Sequence, residues 1–317
     1  MHVTVLPSPH PPRSARSGVL LMVLALGLSA FGVGCSDRAQ SSGDGDSAEP
    51  LGIGKEVTMP IPESVTTVVS TGEQPRSLLR PAYPAGTAQR VTLYTAYRIE
   101  QQLDEQPTHD YSTPALTIPM TARTTADGID LILGTVTSPD PVLAKALTKI
   151  GGSHASFDLS ELGAITALRL EPAPEAPHTA RAAVEQAFYQ AVYRSIVFPN
   201  EPVGEGAVWM VHQEVSSGML LDQVTTATLI EREGHRLTID LQVTQTPKSP
   251  VWNLPNRAGT LDIRDYVMQG AGTITVDLGL PLPVSGSITV GGHQVYRDPR
   301  ASSVLQQTID TQVSWTE

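Results

Sequence analysis

From residue 90 to the C-terminus, apolar side chains return at every second position, and this alternation limits the fold more than any other feature. Val91, Leu93, Thr95, Tyr97, Ile99 and Leu103 fall on one side, opposite Thr92, Tyr94, Arg98, Glu100 and Asp104. The pattern recurs at Leu237-Ile239-Leu241-Val243 against Thr238-Asp240-Gln242, at Ile274-Val276-Leu278, and at Leu305-Ile309-Val313-Trp315. Successive strand side chains point to opposite faces, so these segments predict antiparallel strands with one covered face and one wet face. Turn signals separate them at Asp127-Gly128, Ser217-Gly218, Glu233-Gly234, Gly270-Ala271-Gly272 and Gly291-Gly292.

Two segments carry a 3.6-residue period instead. Residues 141–150 put Val142, Leu143, Ala146, Leu147 and Ile150 on one stripe and stop at Gly151-Gly152, a glycine C-cap signal. Residues 179–196 set Val184, Phe188, Ala191, Val192 and Ile196 against Arg181, Glu185, Gln186, Gln190 and Arg194, with an end near Phe198-Pro199. The chain therefore reads as mainly β (α+β), with curved antiparallel sheets and two helices.

A weak internal echo surrounds the second helix. Pro84-Ala85-Gly86, Thr121-Ala122-Arg123 and Gly128 parallel Pro202-Val203-Gly204, Thr226-Ala227-Thr228 and Gly234, given an insertion near residues 105–114. If the echo marks a duplication, the halves are 84–178 and 198–317, joined by helix 179–196.

The 40% hydrophobic content suffices for a packed core, and a net charge of −11 speaks against a nucleic-acid partner. The single cysteine excludes a disulfide framework and a cluster of cysteine metal ligands. Its position is informative. Arg13 and Arg16 precede the apolar run Val19–Leu28, and Gly32-Val33-Gly34-Cys35 follows. A positive stretch, an apolar stretch and a small-residue exit make a secretory signal peptide over 1–34. The junction resembles the lipobox of bacterial lipoproteins, although Gly32 stands where leucine is usual. That resemblance implies a diacylglycerol on the Cys35 thiol and cleavage just before it; the alternative is an ordinary signal peptide or uncleaved anchor with a coincidental cysteine.

Two or more acyl chains hold a protein stably at a membrane, at about 0.8 kcal/mol per buried methylene. Loss of Arg13 and Arg16 leaves 19 basic against 32 acidic residues, a charge of −13 that keeps the body off an anionic surface. Residues 36–50, SDRAQSSGDGDSAEP, have no side chain able to bury much apolar surface and predict a flexible tether. Residues 51–83 are punctuated by proline, with one β-like patch at Val65–Ser70, and predict an extended lead-in. The organisation is thus signal peptide 1–34, tether and lead-in 35–83, and β-rich ectodomain 84–317.

Catalytic templates are missing: no Gly-x-Ser-x-Gly, His-Glu-x-x-His, phosphate loop or Cys-x-x-Cys occurs. Ser153-His154 follows a glycine turn, and strand neighbours point apart. His109-Asp110 lies in a polar loop with Asp104 and Glu105, open to reading as a solvated loop or a surface cation site. Asp262 with Asp265 and Glu231 with Glu233 are carboxylate pairs without a burial signal. No metal or other cofactor is called for. Trp209, Trp252 and Trp315 are the candidate ligand-binding residues, each also readable as core; Trp252 sits in a proline-bounded loop that predicts outward display.

The run Phe198–Trp209 (FPNEPVGEGAVW), together with Leu79-Arg80-Pro81 and Leu282–Ser287, is similar to uncharacterised bacterial cell-envelope lipoproteins of GC-rich organisms, as is the Lys:Arg ratio of 4:17. That family supplies no activity. Curved sheets with one or two helices are also similar, at the level of fold, to half-barrel lipoproteins that move lipids across the envelope. The expectation is a lipid-anchored extracytoplasmic protein at the cell membrane or outer membrane, non-catalytic, binding lipid or another apolar ligand in a cavity of several hundred Å³. The alternative is a structural or protein-interaction lipoprotein with a filled core.

Overall fold

The computed structural model describes residues 56–126, 128–254, 258–301 and 303–317. Cys35, the signal peptide and the 36–50 tether lie outside the described residues. In chain order the elements are β1 (Val57–Pro60), β2 (Ser64–Ser70), β3 (Ala88–Leu103), β4 (His109–Asp110), β5 (Thr113–Thr124), β6 (Gly128–Leu133), α1 (Pro141–Leu147), β7 (His154–Leu159) and β8 (Ile165–Glu171). They continue with α2 (His178–Val192), β9 (Val208–Ser216), β10 (Leu220–Glu233), β11 (Arg236–Pro247), β12 (Val251–Leu254), β13 (Gly259–Asp277), β14 (Ser285–Arg297) and β15 (Val304–Thr316). Strand makes up 57% of the structure, which fixes the class as mainly β with one large antiparallel sheet and two helices.

Hydrogen bonding orders the sheet β1-β8-β7-β6-β5-β3-β15-β14-β13-β11-β10-β9-β2, and it does not close into a barrel. Between the two end strands lies a meander of eleven strands, with the first, β3, paired to the last, β15. Every neighbour in it is antiparallel, so direction alternates along the row. With an odd number of strands, β8 and β9 at its two ends run parallel to each other. β1 is antiparallel to β8 and β2 is antiparallel to β9, so the two pieces share one direction. Only residues 61–63 join them, and Pro60 to Ser64 can span at most about 14 Å. Segment 57–70 is thus a strap between the two ends of the meander.

The apolar side of the alternation faces inward as expected: Val91, Leu93, Leu237, Ile239, Leu241, Val243, Ile274, Val276, Val313 and Trp315 are buried. Two glycine signals behave differently. Gly270-Ala271-Gly272 and Gly291-Gly292 are not turns; they lie inside β13 and β14, paired across the two strands. A Cβ on Gly272 would stand 2.1 Å from the Ser287 carbonyl oxygen, and one on Gly292 would stand 1.8 Å from that of Val267. Close approach of neighbouring backbones, rather than a reversal, demands glycine there.

Helix α1 begins at Pro141, with Asp140 as N-cap accepting a hydrogen bond from the Leu143 N–H at 2.6 Å. It stops at Leu147, before the predicted Gly151. Helix α2 packs inside the sheet against β3, β5, β8 and β15, and Phe188 meets Phe157 of β7 edge-on with centroids 6.1 Å apart. It ends at Val192, four residues before the predicted Ile196. Ile196, Val197 and Phe198 are each buried in a second cluster with Leu79, Trp209 and Leu229, and a helix cannot turn three consecutive side chains the same way. The predicted polar face of this helix is also partly wrong: Arg181 and Arg194 are both buried.

Two of the three landmarks of the internal echo sit alike, and the third does not: Gly86 has a positive φ and open space around it, whereas Gly204 packs against the Glu73 carbonyl. Gly128 and Gly234 close the β5–β6 and β10–β11 hairpins, and Ala122 and Ala227 are buried on the preceding strands. Residues 105–114, where the echo requires an insertion, contain β4. The strands of 84–178 and of 198–317 belong to the one sheet.

Candidate functional site

The loop leaving β13 and the segment leaving α2 meet at one end of the sheet and enclose a pocket. Val276, Leu278, Leu280 and Leu282 come from the first, and Ile196 and Phe198 from the second. Phe157, Ile165, Trp315 and Tyr83 also line the pocket. Gln89 holds the loop. Buried on β3, its amide oxygen accepts from the Leu282 N–H at 3.0 Å, and its Nε2 donates to the Leu282 carbonyl at 3.2 Å. The pocket volume is about 80 Å³. That is roughly half of a cavity that admits benzene, and well below the roughly 300 Å³ at which ligand pockets begin. As it stands the pocket is smaller than the cavity expected of a lipid carrier.

The chemistry of the pocket is apolar. Its one carboxylate, Asp277, accepts the Gly279 N–H at 2.8 Å and so caps its own loop. Burial raises the Tyr83 hydroxyl above its ordinary pKa and keeps it neutral. Neither a nucleophile with a neighbouring base nor an acid–base pair lines the pocket.

The three tryptophans belong to three separate clusters. Trp209 is fully enclosed and donates its indole N–H to the Val197 carbonyl at 2.9 Å, which ties β9 to the segment after α2. Trp315 borders the pocket. Trp252 is half-buried rather than displayed: its ring packs 5.0 Å from that of Tyr296, and its N–H donates to the Gly218 carbonyl at 3.0 Å. An aromatic in a short strand against another aromatic gains more by packing than by exposure.

The other candidates are surface or turn features. Ser153 is buried and accepts the Ala173 N–H at 2.9 Å, while His154 is exposed on β7. His109 and Asp110 form the exposed β4, where hydrogen bonds from Ser112 lower the Asp110 carboxyl below its ordinary pKa. Asp262 pairs with Arg264 at 2.9 Å and Asp265 with His293 at 2.8 Å, on separate partners. Glu231 and Glu233 are exposed. Among the described residues no group of three or more His, Cys, Asp or Glu side chains is placed to hold a metal ion. No described helix is long and apolar enough to cross a membrane.

One interior feature was missed by the sequence reading. Gln213, Gln223 and Gln245 stand opposite one another on β9, β10 and β11, and Gln294, Gln307 and Gln101 do so on β14, β15 and β3. Four of these six are buried. Arg194 joins the first row. Its Nη1 donates to Gln223 Oε1 at 2.8 Å, Gln245 Nε2 donates to the same oxygen at 2.9 Å, and Gln223 Nε2 donates to the Tyr193 carbonyl at 3.1 Å. No carboxylate among the described residues pairs with Arg194, and desolvation lowers its pKa to about 10. A void of about 10 Å³ beside Gln213, Gln223 and Thr225 is room for about one water. The only signal in sequence was glutamine at inward positions of alternating strands. No protein-family model matches the chain, and neither a curated protein nor a solved structure matches it.

Proposed function

We propose that this chain is a lipid-anchored, extracytoplasmic and non-catalytic protein, held by Cys35, whose β-rich body binds an apolar envelope ligand at the pocket between the 276–283 loop and residues 196–198. The observation that carries the binding reading is the lining: apolar side chains from separate parts of the chain converge on one opening, and the Asp277 carboxylate and Ser195 hydroxyl among them are engaged by backbone groups. The anchor reading rests on the placement of the single cysteine directly after an apolar run. The volume of about 80 Å³ favours a second reading, a structural or interaction lipoprotein with a filled core.

Extraction of the purified chain with organic solvent, followed by mass spectrometry, separates the two. Co-purifying lipid supports the carrier; clean protein that also takes up no added fatty acid leaves the filled-core reading. Labelled palmitate should enter the wild-type chain and be lost in Cys35→Ala. Equal labelling of that variant would refute the anchor.

A further inference from the structure

We propose that the strap, residues 57–70, is a latch: it opens separately from the meander, and its release widens the seam between β8 and β9 so that the apolar pocket admits an acyl chain. The inference deepens the apolar-ligand reading above and rests on it.

Strand direction makes the seam weak. β8 and β9 end an odd-numbered meander, run parallel and share no ladder, and the strap is their hydrogen-bonded bridge. It is a thin one. β1 contributes four paired residues on β8, and β2 contributes six on β9, interrupted by a bulge between Val68 and Ser70. Each piece has a single neighbouring strand, so half of its backbone groups lack a ladder partner. Pro60 and Pro62 remove two more donors at the junction.

The strap's contacts outside its two ladders are few: Met59 and Val68 pack, partly buried, against the two cores, and the Pro62 carbonyl accepts from Gln213 Nε2 at 3.0 Å. Val65 and Val69 are already 58% and 62% exposed. The Ser64 hydroxyl is buried without a hydrogen-bond partner, so its release to water regains solvation. One strap residue is buried in the main core, Ile61, and it marks the link to the pocket: its N–H donates at 2.9 Å to the carbonyl of Thr166, next to pocket-lining Ile165. The chain from β3 to β15 is continuous without the strap, so opening needs no rearrangement of the meander.

Two cross-strand cysteine pairs test this in the full chain carrying Cys35→Ala, which leaves the engineered thiols as the only ones. They are Thr58→Cys with Arg169→Cys on β1–β8, and Val65→Cys with His212→Cys on β2–β9, both opposed in register. Opposed strand residues lie within disulfide range. The probe is cis-parinaric acid, a fluorescent long-chain fatty acid. The reduced proteins should take it up, and oxidation should slow uptake by about tenfold or more, with recovery on adding reductant. Hydrogen exchange should show the strap amides protected about a hundredfold less than those of β10 and β11. Equal uptake by oxidised and reduced protein overturns the latch and leaves the binding reading standing. Uptake in neither state overturns both. Strap amides that exchange as slowly as β10 and β11 overturn the latch on their own.

Discussion

Removing the buried positive charge at position 194 should make the protein more stable. Arg194 is enclosed, no described carboxylate pairs with it, and desolvation lowers its pKa from 12.5 to about 10. Holding the charge in those surroundings costs roughly 3 kcal/mol at neutral pH. Against this stand two charge-assisted hydrogen bonds from Nη1, to Gln223 Oε1 at 2.8 Å and, longer, to the Tyr193 carbonyl at 3.3 Å, together of the order of 2 kcal/mol. Arg194→Met fills a similar volume with an unbranched apolar chain and orphans no acceptor. Gln223 Oε1 keeps Gln245, and the Tyr193 carbonyl keeps Gln223. The expected gain is about 1 kcal/mol, read in urea unfolding at pH 7 as a higher midpoint with an unchanged slope. The pH dependence adds a second check. Between about pH 10 and 12.5 the unfolded wild-type chain holds a proton that the folded chain has released, so this residue makes folding more favourable as pH rises. The advantage of the variant should therefore shrink across that window. A variant less stable than wild type at pH 7 would show that the amide row needs its cation, and the argument would fail.

Gln89→Leu should leave the Leu282 N–H unpaired at the pocket rim; we expect a loss of about 1–3 kcal/mol and faster exchange of that amide, measured by urea unfolding and hydrogen exchange. Gly272→Val should cost about 3 kcal/mol or more, because its Cβ would meet the Ser287 carbonyl at 2.1 Å, while Gly151→Ala, with open space around it, should stay within about 0.5 kcal/mol in the same thermal or urea assay. Burial raises the hydroxyls of Tyr97, to about 12, and of Tyr189, Tyr266 and Tyr296 further above 10. Above pH 10 the folded chain thus keeps protons that the unfolded chain loses, so these residues favour unfolding as pH rises through that range; phenolate absorbance should appear together with the loss of structure rather than before it.

The wall of this protein was legible because burial on one face imposes a period of two on each strand, and the 88–103, 236–247 and 304–316 strands carry it plainly. The helix after Pro177 was legible for the same kind of reason, up to its end. What escaped were features set by neighbours distant in sequence. Gly272 and Gly292 look like turn residues in one dimension, and only the Ser287 and Val267 carbonyls explain why they sit mid-strand. Arg194 looks like the polar face of a helix until the segment beyond Val192 straightens and draws it inside. The alternation places Gln223 and Gln245 inward, but the hydrogen bond between them depends on the register of two strands. The pocket was illegible outright, since its lining comes from residues as far apart as Tyr83, Ile196 and Trp315.

The parity of the meander ties these observations together. A closed antiparallel ring needs an even number of strands, and eleven leaves two ends that run the same way. Ends of this kind can drift apart, can pair as parallel strands, or can be joined by a further strand antiparallel to both. This chain takes the third course with its lead-in, at the cost of routing 57–70 past one end and then the other. The interior follows from that choice. Helix α2, which connects β8 to β9, buries Val184, Phe188 and Val192, and the pocket beside the 276–283 loop lies next to its last turn, where Ala191 joins the lining. The small volume of the pocket and the thinness of the strap thus have one origin: an incomplete ring whose connecting helix fills the inside, with one edge secured by a separate strand.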